Sequence, residues 1–464
     1  MKRSCTTLAA LSAVAISAPS TALAPSADAE RRAWTPPVRV GEPATSIGPP
    51  QLSFTRAGRA LATWGVGGKQ GEVRGLVLAT APRGRGFTST SPLEGLANTG
   101  LRVAPCSGRK LVFVGSTSLG PPGSGGESLE ARESSFTGRM GEPTHLDAGH
   151  RLDFALAGNR RGQAVVAWVN EDPSGRSKIV ARFGRCGRFG PPISLARGKF
   201  LGSPRIDLNE RGDALFAWES GPLFERDVAA RIRWADGSLG APEHLGPLGE
   251  SDGLEVTAAS IGQTGKAAVV FTPYTSDPEA NYPTGLFAAL RPPRGRFARA
   301  QRLGLPGKDL NVLGLSDAQA RVTPRGAVVV AWTHLGTRSD FSRVAVANKG
   351  RFGPAHRLSR GPDEARLADL ALGPRGEATV LWLTDSVEEQ AFRPRLLVGA
   401  TRPEGGRFGP AERVVNEAAP LEIQGATLAY DPVRRSPVAL WAVERCTRLR
   451  ERCGPAAIHT ARRR

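Results

Sequence analysis

The stretch Pro374-Arg375-Gly376-Glu377-Ala378-Thr379-Val380-Leu381-Trp382 decides the fold, because versions of it return along almost the whole chain. Aligned on the closing aromatic, the copies end at Trp64, Phe113, Trp168, Trp218, Phe271, Trp332, Trp382 and Trp441, about 54 residues apart on average. A glycine turn precedes most of them, at Gly58, Gly162, Gly212, Gly265, Gly326 and Gly376. Glycine reaches the positive φ that a tight strand-to-strand turn requires. The run that follows, as in Ala164-Val165-Val166-Ala167-Trp168, is apolar at successive positions, which marks a strand covered on both faces.

A second set of copies occupies the later part of each unit: Gly187-Arg188-Phe189-Gly190-Pro191-Pro192, Gly295-Arg296-Phe297, Gly350-Arg351-Phe352-Gly353-Pro354-Ala355 and Gly406-Arg407-Phe408-Gly409-Pro410-Ala411. Proline cannot donate to a central ladder, so this segment belongs on the outer edge of its sheet. Between the two sets lies an alternating run such as Arg343-Val344-Ala345-Val346-Ala347, and another, Leu367 to Leu372, precedes the glycine turn. Each unit therefore reads as four short antiparallel strands. Many such units in series indicate an all-β fold, a β-propeller of four-stranded blades.

Ring closure follows from the ends. Ala33-Trp34-Thr35-Pro36-Pro37-Val38-Arg39-Val40 matches Arg351-Phe352-Gly353-Pro354-Ala355-His356-Arg357-Leu358, so an outer strand opens the propeller, whereas the last unit runs out after its third strand. The opening strand is expected to complete the final blade and leave no bare edge. The count is eight blades, with seven as the alternative because the unit around Phe113 departs from the pattern.

Lys2 and Arg3, the apolar run Leu8 to Ile16 and the small residues around Ala27-Asp28-Ala29 read as a secretory signal, residues 1–29, ahead of a single propeller over 30–464. No later run approaches the ~18–20 apolar residues of a membrane span. The expectation is a secreted, extracytoplasmic monomer. Of the cysteines beyond the signal, Cys446 and Cys453 flank a short Arg-rich hairpin and suit a local disulfide. Cys106 and Cys186 fall in turns on the same rim of neighbouring blades, the arrangement of an inter-blade disulfide. The balance of 62 Lys and Arg against 43 Asp and Glu gives a formal net charge of +19, which attracts anionic polysaccharide or envelope polymers at long range. Only eight of those cations are Lys, a bias that a GC-rich genome also produces.

No catalytic constellation and no cofactor motif is legible. The chain carries no HExxH, nucleophile elbow, phosphate loop or signature specific to nucleic acid. His145, His244 and His356 recur at one place in separate units, which excludes a shared metal. In strand order the units resemble sialidase-type propellers, although the aromatic follows glycine by six positions, as from Gly212 to Trp218, and not by the three of the sialidase turn. They are more similar to uncharacterised exported bacterial repeat proteins with G-x-A-x-V-x-W and G-x-F-G-x-P blades. That resemblance implies a fold and no established activity.

Function is thus sought in the loops after each aromatic anchor, which share one face of the ring and carry acids on an otherwise Arg-rich chain. Their most distinctive cluster is Tyr274, Asp277, Asn281 and Tyr282, aromatics with amide and acid groups that suit sugars. The reading is a non-enzymatic exported propeller that binds an anionic glycan. The alternatives are a carbohydrate-active hydrolase or lyase in the central pocket, and a structural scaffold.

Overall fold

The computed structural model describes residues 34–44, 48–67, 73–87, 89–93, 102–106, 110–119, 126–135, 139–149, 151–172, 174–222, 225–246, 253–274, 285–303, 318–334, 340–359, 364–385, 394–417, 421–446 and 453–464. The signal segment lies outside them. The described residues form eight antiparallel sheets in a closed ring, an eight-bladed β-propeller.

From the centre outward, blade 1 consists of Gln51–Phe54, Ala60–Gly67, Val73–Ala81 and Ser89–Leu93. Blade 2 is Arg102–Pro105, Lys110–Leu119, Gly126–Ser135 and Thr144–Gly149, so the unit around Phe113 is a complete blade. Blade 3 has Arg151–Gly158, Gln163–Glu171 and Arg176–Arg185, with its outer segment split into Arg188–Phe189 and Ile193–Lys199 around Pro191 and Pro192. Blade 4 is Arg205–Leu208, Ala214–Ser220, Asp227–Arg233 and Glu243–His244, and blade 5 is Gly253–Ile261, Ala267–Tyr274, Phe287–Arg291 and Gln301–Arg302. Blade 6 is Gln319–Val322, Val328–His334 and Phe341–Asn348 with two short outer pieces, Arg351–Phe352 and His356–Arg357. Blade 7 is Glu364–Leu372, Ala378–Asp385, Leu396–Arg402 and Glu412–Asn416. Blade 8 takes Leu421–Asp431, Ser436–Cys446 and Cys453–Arg462 from the end of the chain and its outer strand, Val38–Ala44, from the beginning. Val38 pairs with Thr460 and Val40 with Ile458, so the N-terminal strand closes the ring as expected.

The chain folds this way because each blade has two apolar faces and buries both only between neighbours. Apolar clusters accordingly sit in the wedges between consecutive blades. The anchor aromatic of each blade points back toward the preceding one; Trp168, Trp332, Trp382 and Trp441 are fully buried there. Two indole N–H groups reach a carboxylate of the preceding blade: Trp168 donates to Asp147 at 2.7 Å and Trp441 to Glu417 at 3.2 Å. The conserved-looking Gly-Arg-Phe pieces have a similar task. The backbone N–H of Phe297 donates to Glu243 of blade 4 at 2.7 Å, and that of Phe352 to Gln301 of blade 5 at 3.0 Å. The glycine turns take φ of 79° at Gly58, 78° at Gly162, 100° at Gly212, 81° at Gly265, 84° at Gly326 and 87° at Gly376, as their position in a tight turn demands.

Candidate functional site

Three places could hold a ligand: the mouth of the central channel, a bowl on the outer half of blade 3, and a cleft between blades 8 and 1. The channel mouth lies on the rim formed by the turns between first and second strands. It encloses about 580 Å³, walled by Asp207, Ser260, Arg321, Asn159, Asn209 and Tyr430 among others. Its polar groups lash blade to blade. The Asp207 carboxylate accepts from the Ser260 hydroxyl at 3.0 Å and the Ile261 N–H at 2.8 Å of blade 5, and from the Leu208 N–H at 3.0 Å. Ser260 in turn accepts from Val322 of blade 6. One level deeper, Gln319 accepts from Leu370 of blade 7, and Asp369 from Thr427 and Leu428 of blade 8. An inner strand at the lumen has bare N–H groups on its open edge, and these side chains supply the acceptors. Burial raises the Asp207 carboxyl above its ordinary range, and Arg321 opposes the shift. With three donors on it, Asp207 is a structural tie.

The opposite rim carries the loops after the anchors. Of the expected cluster, Tyr274 ends the second strand of blade 5. Its side chain, with Asp277, Asn281 and Tyr282, lies outside the described residues. The acids that are described on this rim are engaged within the fold. Glu219 accepts the Val256 N–H at 2.8 Å and faces Arg226 at 3.5 Å, and burial raises its carboxyl. Asp340 pairs with Arg366 at 3.0 Å and Asp227 with His244 at 2.7 Å. Asp172 is consumed by its own turn, accepting the Ser174 hydroxyl at 2.6 Å and the Arg176 N–H at 3.1 Å; the Ser174 bond holds its carboxyl below the ordinary range.

On the same rim, blade 3 presents cations. Its third and outer strands pair Arg176 with Lys199 and Lys178 with Arg197, and all four side chains are exposed. Like charges placed directly opposite across a ladder are destabilising by roughly 0.2–1 kcal/mol per pair. The quartet walls a bowl of about 690 Å³ with Asn170, Asp172, Ser177 and Gly198. The Ser177 hydroxyl is buried in that wall without a hydrogen-bond partner. Beside Lys199, Phe200 is 48% exposed and holds φ of 56°, a left-handed conformation costly for an aromatic residue. Only two other large apolar side chains among the described residues are exposed, Val38 at 60% and Val433 at 36%. The bowl thus gathers four cations around Asn170 and Asp172. The signal was present in the sequence as Arg176-x-Lys178 and Arg197-x-Lys199, cations two apart in strands that pair.

The cysteines divide into two pairs. Cys446 and Cys453 stand opposite each other in register across their hairpin. Cys106 and Cys186 meet at the boundary of blades 2 and 3, as the turn positions required, but the expected disulfide does not join them there. Burial first, and the neighbouring Cys186 second, push the Cys106 thiol far above its ordinary range. Among the described residues no group of three or more His, Cys, Asp and Glu is placed to hold a metal ion. None contains a helix long and apolar enough to cross a membrane.

The fold and this bowl define an eight-bladed propeller with a cationic recess on one rim. No family model matches the chain, and no curated protein matches it in sequence. Among solved structures it is similar to a prolyl endopeptidase, with a TM-score of 0.47 and 14% identity over 87% of this chain and 53% of that one. It is also similar to the polysaccharide lyase Uly1, with a TM-score of 0.45 and 12% identity over 88% of both chains. A third is the α-L-arabinanase of Penicillium chrysogenum complexed with arabinobiose, with a TM-score of 0.39 and 11% identity over 80% of this chain and 99% of that one. Likeness at this distance carries no argument about substrate.

Proposed function

We propose that this protein is an exported, non-catalytic propeller that holds an acidic polysaccharide in the bowl of blade 3. The observation that carries the reading is the pairing of Arg176 with Lys199 and Lys178 with Arg197 in direct register, a repulsion that a bound polyanion relieves. The guanidinium groups of Arg176 and Arg197 offer paired donors to carboxylate or sulfate groups. Export rests on Lys2, Arg3 and the apolar run that follows them.

The test is binding of alginate, heparin and uncharged dextran to the mature protein at about 0.05 M and about 0.5 M salt. An acidic polymer is expected to bind and dextran to be ignored. The double variant Lys178→Gln/Arg197→Gln should weaken acidic binding about tenfold at the lower salt. Equal binding of dextran, or an unchanged double variant, overturns the reading. A fall in polymer length on incubation replaces it with the hydrolase or lyase alternative.

A further inference from the structure

The boundary between blades 8 and 1 departs from the repeat at two places, and with a small residue facing them they make a second site. The first is Arg462. It pairs with Val438, three residues before the anchor Trp441, on the face turned toward the next blade. The equivalent partner in blades 4, 5, 6 and 7 is Ile232, Leu290, Val346 or Thr401. A cation therefore stands where the other blades place an apolar or small uncharged side chain.

The second departure is Val38, which pairs with Thr460 at the position held by Glu243 in blade 4, Gln301 in blade 5, His356 in blade 6 and Glu412 in blade 7. Glu243 and Gln301 bond the following blade there, whereas Val38 has no polar atom to offer and is 60% exposed. A third contribution comes from Ala81, which pairs with Ala60 where blades 4, 5 and 7 carry Arg233, Arg291 and Arg402 and blades 3 and 6 carry the small Gly184 and Ala347. Two of those arginines fill the gap to the blade behind. Arg233 lies over the Phe183 ring at 4.0 Å, and Arg291 lies over Trp234 at 5.1 Å and bonds Glu243. Ala81 fills nothing.

The result is a cleft of about 270 Å³. Its floor is Phe54, Ala60, Ala81, Phe87 and Val438, and its rim carries Arg39, Arg85, Arg434 and Arg462, with no acidic residue in the lining. Arg434 is tied to the Gly84 carbonyl, which closes the inner end. The Nε of Arg462 is buried without a hydrogen-bond partner, while its Nη2 lies 3.4 Å from Asp431.

We propose that this cleft binds a small amphipathic anion, an aromatic carboxylate whose ring lies on the Phe54 and Phe87 floor and whose acid group meets Arg462. An apolar pocket with a few convergent cations selects for a ligand that is itself apolar at one end and anionic at the other. The site is on the rim opposite the blade 3 bowl and stands independently of it.

The probe is 2-naphthoate, titrated into the full mature protein at constant ionic strength, with 2-naphthol as the uncharged control. Naphthoate is expected to bind at least tenfold more tightly than naphthol. Arg462→Leu, which installs the residue of blade 5, should abolish that preference in a protein that still unfolds cooperatively, although the loss of the Asp431 pair lowers its melting temperature. Ala81→Phe, which fills the cleft, should weaken both ligands, and Lys178→Gln should change neither. No binding of naphthoate, equal binding of the two ligands, or full retention of the preference in a folded Arg462→Leu protein overturns the proposal.

Discussion

Replacing Lys178 by Glu is expected to make the protein more stable and less able to bind an acidic polymer. Lys178 faces Arg197 directly across the ladder, with Arg176 two residues away on the same face and Lys199 diagonal to it. Two exposed unit charges about 6 Å apart in water interact by about 0.7 kcal/mol. Screening at physiological ionic strength, with a Debye length of about 8 Å, cuts this roughly in half. Removing the repulsion gains a few tenths of a kcal/mol. Reversing the charge turns it into attraction, so Lys178→Glu should gain about 0.5–1 kcal/mol. The measurement is the urea midpoint followed by tryptophan fluorescence, repeated at about 1 M salt, where the gain should shrink because the charges are exposed. In parallel, alginate binding at low salt should fall by tenfold or more. A variant that is destabilised, that is stabilised equally at both salt concentrations, or that binds alginate as before would show that the quartet is not held against its own repulsion for a ligand.

Phe200→Gly relieves a left-handed aromatic residue and is expected to raise the unfolding free energy by about 1 kcal/mol, read as a higher urea midpoint. Asp147→Ala leaves the buried Trp168 indole N–H unpaired and should cost about 1–3 kcal/mol, whereas Trp168→Ala should cost about 3–5; the double variant should cost less than the sum, because both remove one bond. Glu417 is held below its ordinary carboxyl range first by His459 and then by Trp441. Its folded pKa is depressed, so its contribution is complete above about pH 4.5 and is lost as pH falls through the folded value. Glu417→Gln should flatten that part of the stability profile in acid denaturation. Cys106 with Cys186, and Cys446 with Cys453, are proposed to be bridged after export, and non-reducing peptide mapping that recovers Cys106 as a free thiol sinks the first pair.

The sequence announced the blades clearly because the same physical requirement recurs in each of them. An apolar run such as Val328 to Trp332 is buried on both faces, and a glycine such as Gly326 must turn the chain before it. Ring closure was legible for a related reason, since a unit lacking its outer strand and an opening strand lacking a blade fit each other. The meeting of Cys106 and Cys186 followed from topology alone. The sites were harder to read. The blade 3 bowl depends on which cations face one another, and in a chain with 62 Lys and Arg the pattern Arg176-x-Lys178 does not stand out until its partner strand is known. The cleft at Arg462 depends on register between strands drawn from opposite ends of the chain, so Val38 and Ala81 look unexceptional until the other blades are laid beside them. Of the loop acids that the sequence reading favoured, Glu219 accepts a backbone amide, Asp340 pairs with Arg366 and Asp172 is held by its own turn.

The borrowed outer strand of blade 8 also sets an order of events. Strand Val38–Ala44 precedes every other strand of the propeller and its partner Cys453–Arg462 follows them all, so during synthesis the opening strand has no native partner until the rest of the propeller has been made. A waiting strand can recruit the wrong neighbour, and proline is the residue that discourages it. Pro36, Pro37 and Pro43 bracket this one. The chain thus carries its own fastener near its start, and pairing it with the last strand is what joins blade 8 into a four-stranded sheet.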